Sequence, residues 1–155
     1  MRYRDINDLR DFTRDVASVV DFVGEAEYRL ALDELGRSLR AKGGVTPNDD
    51  LVFSLELELF NLELLRERCG GSFKSLPSQC HSGVDFLLGL GQTIRVLSES
   101  AKTRLLGRVR KGLKEGLWPL QHELRVAANL SNRGYELSFH DLEEDGGYHY
   151  CPVRS

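Results

Sequence analysis

Cysteine, proline and tryptophan are scarce in this 155-residue chain, at three, four and one copies. Cys69, Cys80 and Cys151 are too few for a disulfide framework and odd in number, so free thiols and a reducing, cytoplasmic setting are expected. No apolar run is long enough for a membrane span or for the hydrophobic stretch of a secretory leader. Neither charge sign dominates. With 21 Lys and Arg against 24 Asp and Glu, the net charge is −3 and offers polyanions no global attraction, so a nucleic-acid surface would have to be a local patch. The G-x-S-x-G, H-E-x-x-H and P-loop patterns are missing, which leaves nucleophilic hydrolases, zincins and P-loop NTPases without support.

What is present is ordinary globular material, 41% hydrophobic and 29% charged. A chain of this length buries roughly 70% of its unfolded surface, enough for a core without staples. From Asp5 to about Lys42, Leu9, Phe12, Val16, Val19, Val20 and Val23, then Ala26, Leu30, Ala31, Leu35 and Leu39, recur at three- and four-residue steps. That spacing predicts one long helix or two, broken near Gly24 and closed by Gly43 and Gly44. Thr46, Pro47 and Asp49 read as the start of a further helix that runs to about Cys69. Its middle, Leu55-Glu56-Leu57-Glu58-Leu59, alternates like a strand. Leu and Glu nevertheless favour helix, and Leu51, Leu55, Leu59 and Leu62 keep helical spacing, so a helix packed between others is expected.

Residues 70–83 carry Gly, Ser and Pro without periodicity and read as an exposed loop, the best internal linker. Helical patterns resume at Val84–Leu97, at about Glu99–Glu115 and at Leu117–Arg133, where Pro119 fits a first turn and Gly134 marks the end. Beyond it, Tyr135 to His140 alternate apolar and polar, Asp145-Gly146-Gly147 is a turn signal, and Tyr148 to Cys151 are strand-like. The expected fold is therefore mainly α, with five or six helices in residues 1–133 and a short C-terminal β-hairpin in 135–152. An unpartnered hairpin edge would invite pairing with another copy of the chain.

Residues 117–150, LWPLQHELRVAANLSNRGYELSFHDLEEDGGYHY, resemble the opening of a PD-(D/E)XK nuclease-like core, in which a glutamate-bearing helix leads into the first two strands. The resemblance implies a helical region over 1–116 and an incomplete core over 117–155, an α+β fragment. It places the family's helix glutamate on Glu123. The family's second-strand aspartate falls on His149 within Gly147-Tyr148-His149-Tyr150, and the (D/E)-X-K strand would have to follow Ser155. Hydrolysis in that family needs clustered carboxylates around Mg²⁺ and a lysine beside the attacking water, and imidazole is a poor substitute for the missing carboxylate. The resemblance thus implies a truncated, catalytically incomplete protein with no cofactor.

Among local signals, Lys102, Arg104, Arg108, Arg110, Lys111 and Lys114 crowd one segment. On a helix, Arg104, Arg108 and Lys111 share one face, with Leu105, Leu106, Val109 and Leu113 opposite. That face suits phosphates of DNA or RNA; its bland alternative is a solvated surface balanced by acidic helices. Glu123 shares a stripe with Leu120, Ala127 and Leu130 and is expected at the edge of a buried face, as a metal-site remnant or an arginine's partner. Cys69 with Cys80 and His81, or His140 with His149 and Cys151, lack the paired spacing of zinc sites, so no metal is expected. Gly89-Leu90-Gly91 reads as small residues at a close helix crossing. Besides nucleic-acid contact, the leucines of 55–65 and the hairpin edge allow a helical protein–protein interaction or homo-oligomerisation module, with no membrane partner.

Overall fold

A computed structural model of the chain describes residues 9–41 and 50–134. Within them are six helices and no strand: α1 (Leu9–Val23), α2 (Glu25–Ala41), α3 (Asp50–Arg68), α4 (His81–Val96), α5 (Glu99–Glu115) and α6 (Trp118–Asn132). The mainly helical expectation holds. The expected hairpin over 135–152, the glycine stop at 43–44 and the cap at 46–49 lie outside the described residues.

The break expected near Gly24 is real and has a backbone cause. Gly24 takes φ +94, a left-handed conformation that costs other residues, and its N–H closes α1 on Val20 O while its carbonyl accepts the N–H of Tyr28 to open α2. One residue therefore ends a helix and starts the next. α1 turns Phe12, Val16, Val19, Val20 and Val23 inward at three- and four-residue steps.

α4 is the centre of the bundle. Between Asp85 and Arg95 it carries no charge, and residues 86–93 are buried on every side, as expected of a helix that is apolar all round. α1, α3 and α6 pack against it, α2 against α3 and α1, and α5 against α1, α2 and α6. Gly91 allows α1 and α4 to approach closely: a Cβ built there would stand 3.2 Å from Asp15 Cβ and 3.3 Å from the Asp15 carbonyl oxygen. Buried Asp15 is matched across the same crossing by Arg95, whose Nη1 donates to Oδ1 at 2.6 Å.

The segment between α3 and α4 departs from its reading as an exposed linker. It spans 69–80, and α4 begins at His81, three residues before the Val84 start that periodicity suggests. Phe73 is buried, its ring centroid 4.9 Å from that of Phe12, and its N–H donates to Thr13 Oγ1 at 3.2 Å. Cys80 is buried as well. An apolar ring inserted between turn residues anchors the connection to α1, and composition alone hides such an anchor.

Candidate functional site

α5 opens on Ser98, whose hydroxyl accepts the Ala101 N–H, with Glu99 in the first turn at the positive helix end. Its inward stripe is Ala101, Leu105, Val109 and Gly112; Leu106 and Leu113 pack partly against the core. Arg104, Lys111 and Lys114 lie exposed on the opposite side, and Arg108 stands at the boundary facing α6. The basic face therefore exists as a geometric feature, but much of its charge is engaged. Lys102 pairs with Glu99 at 2.7 Å, Lys111 with Glu115 at 3.7 Å, and Arg110 leaves this face to meet Glu27 of α2 at 2.6 Å and the Val23 carbonyl at 3.2 Å.

Arg108 and Glu123, singled out separately, meet each other. Arg108 Nη2 donates to Oε1 and Oε2 of Glu123, each at 2.6 Å, across the α5–α6 contact. Glu123 is 49% exposed and Arg108 33%, so the pair belongs to the surface, where such contacts contribute up to about 1 kcal/mol. Of the stripe expected to carry Glu123, Leu120 and Ala127 are buried while Glu123 projects toward α5. Lys111 and Arg104 extend the same surface along α5.

The sequence reading missed a second polar system, formed by acids of α3. Glu56 is buried, and its Oε1 accepts the N–H of Leu117, which caps α6, at 2.7 Å. Glu58 Oε2 accepts the N–H of Gly83 in the first turn of α4 at 2.6 Å. Free N–H groups and the positive end of the helix dipole converge at both places, so a carboxylate is the fitting partner. Glu63, also buried, is gripped by Arg66 Nε at 2.8 Å and Nη2 at 2.7 Å. Gln121 donates from Nε2 to the Ser82 carbonyl at 3.2 Å and ties α6 to α4. Glu56 Oε2 and Gln121 Oε1 are buried acceptors that lack a donor among the described residues. The available signal was the Leu-Glu alternation itself, since a helix that carries it must turn some glutamates inward.

Three further groups have environments that shift their ionisation. Burial pushes the Asp85 carboxyl above its ordinary range, with Arg125 and His81 pulling partly back. Burial, and then nearby Glu58, raise the Cys80 thiol, which makes it a poor nucleophile. Burial and Glu63 raise the Tyr28 phenol, with Arg66 opposing. Cys69 and Cys80 are free, and His81, beside Cys80, is exposed. Among the described residues no three His, Cys, Asp or Glu side chains gather as a metal site. The other set considered, His140, His149 and Cys151, lies outside them. No helix of the described residues is long and apolar enough to cross a membrane.

No protein-family model, curated protein or solved structure matches the chain.

Proposed function

We propose that the chain is a non-catalytic, nuclease-like protein that makes weak, salt-sensitive contact with the phosphate backbone of DNA or RNA through α5. The observation that carries this reading is the solvent side of α5, where Arg104, Lys111 and Lys114 project together with Arg108 at their edge. Cations spaced along one helix neutralise phosphates and release counterions, which gives affinity without sequence preference. The non-catalytic part is supported by the employment of the acids. Glu123, the position that the nuclease resemblance singles out, is engaged by Arg108, and Glu56, Glu58 and Glu63 hold helix ends or Arg66.

The test is binding of a labelled DNA duplex and a single-stranded RNA across a salt series, by fluorescence anisotropy. Each phosphate contact contributes about −0.9 to the log–log salt slope on duplex DNA, and the triple variant R104Q/K111Q/K114Q should lose most of the slope that the full chain shows. Absence of binding at low ionic strength would end the nucleic-acid reading. Plasmid cleavage with Mg²⁺ or Mn²⁺ that disappears in Glu123→Gln would end the non-catalytic one.

A second reading, a helical protein–protein interaction or oligomerisation module, is favoured by large apolar side chains in solvent: Leu30, Val96, Trp118 and Val126. Trp118 weighs most, because tryptophan is among the residues that most often anchor protein interfaces.

A further inference from the structure

The pair α5 and α6 carries an aromatic surface beside its cations. Leu117 in the connecting turn packs against α5 at Gly112, where an added Cβ would stand 2.7 Å from Leu117 Cδ2, and further along Arg108 reaches Glu123. Glu123 therefore marks the edge of α6 that borders α5. Pro119 and Val126, one turn to either side of it, continue that edge, and Trp118 and His122 come next around the helix. All four are exposed, as are Lys111 and Lys114 in the last two turns of α5. We propose that Trp118 is a base-stacking platform and that the nucleic acid whose phosphates α5 holds is single-stranded, an inference that rests on the phosphate contact proposed above.

Exposure, rigidity and neighbouring charge meet at this residue. Trp118 is 49% exposed, so its indole is open to a partner. The backbone beneath it is fixed on both sides: the Leu117 N–H is held by buried Glu56 at 2.7 Å, the Leu117 carbonyl accepts the Gln121 N–H at 2.9 Å, and Pro119 locks the next φ. A platform held this firmly loses little freedom when a ring lands on it. Lys114 lies four residues before Trp118 and Lys111 seven, so cations and aromatic surface share one end of the helix pair.

That combination matches the chemistry of an unpaired strand. In a duplex the bases stack on one another and present no free face, whereas each base of a single strand has one to offer. Phosphates on Lys111 and Lys114 with a base on Trp118 engage both parts of the surface, and His122, one turn beyond, gives a second ring for the next base. An apolar protein face would cover Trp118 and make no use of the lysines beside it. Because every base has a π-face, the contact selects for strand state and not for sequence.

Trp118 is the chain's one tryptophan, so its emission reports a stacked base directly. Single-stranded oligonucleotides of DNA and RNA, and a DNA duplex of equal length, serve as probes in anisotropy and emission titrations at low salt. A single strand should quench the tryptophan, and the duplex should leave it unchanged. Trp118→Ala should weaken single-strand binding about 5- to 150-fold, the loss expected for one stacked base, with duplex affinity and the salt slope unmoved. Trp118→Tyr should restore most of that loss. Equal loss on both probes, or none on the single strand, would overturn the inference and leave the phosphate contact of α5 standing. Emission that changes with protein concentration before nucleic acid is added assigns the face to a second copy and overturns it too. Absence of binding to every probe removes the proposed function, and this inference with it.

Discussion

Substitution of Gly91 by alanine isolates the close crossing of α1 and α4. Alanine favours a helix interior over glycine by about 1 kcal/mol, so without neighbours the change would stabilise the protein. Here the added Cβ would lie 3.2 Å from Asp15 Cβ and 3.3 Å from its carbonyl oxygen. Neither atom can swing aside as the ring of Phe60, opposite Gly36, can. Overpacking of this kind costs about 1–3 kcal/mol, which outweighs the propensity gain and leaves a net loss of about 1 kcal/mol. Gly107 is the control: it also lies within a helix, but a Cβ there meets nothing within 4 Å. Gly107→Ala should keep the full gain of about 1 kcal/mol. Thermal unfolding followed by far-UV circular dichroism should separate the two variants by roughly 4–8 °C, with the parent between them. Equal stabilisation by both substitutions would refute the close crossing.

Three other outcomes follow from the buried and bridging groups. Glu56→Ala should cost about 1–3 kcal/mol in urea unfolding, because the Leu117 N–H is left buried without its acceptor, whereas Glu56→Gln keeps an acceptor and should cost less. Arg108→Gln and Glu123→Gln should each change stability by under about 1 kcal/mol, and the double variant by little more, since the pair is solvent-screened. Tyr28 should make the fold sensitive to alkali. Its phenol is held above the ordinary 10.0, so the unfolded chain releases this proton first and stability falls as pH rises past about 10. Tyr28→Phe should flatten that limb of the pH–stability curve, and an unchanged limb would mean that another group controls it.

The helices were legible because their apolar residues repeat with helical period, and the Gly24 break was visible because few other residues accept its backbone angle. The anchored connection before α4 was not, since Phe73 is a lone aromatic in a polar stretch and its partner Phe12 lies 61 positions earlier. For the site, spacing alone placed Arg104, Arg108 and Lys111 together. It could not show that Arg108 would be spent on Glu123, because those residues are 15 positions apart on different helices and meet only through the packing of α5 on α6. The inward glutamates of α3 were hidden for a related reason. Their partners are backbone N–H groups, which every residue but proline carries and no side-chain pattern advertises.

Those glutamates have a consequence for what a helix boundary means in this protein. The start of a helix is usually written locally, by a capping side chain next to it, but Cys80 precedes α4 without a side-chain cap and Leu117, which precedes α6, has no polar atom to offer. The instruction comes instead from 25 and 61 residues upstream, where Glu58 and Glu56 mark Gly83 and Leu117 as the places to begin. Two helix origins are thus properties of the assembled fold rather than of the segments that contain them. A fragment that starts after α3 would lose more than a packing partner: α5 would keep its Ser98 cap, but the carboxylates that mark where α4 and α6 begin would be gone.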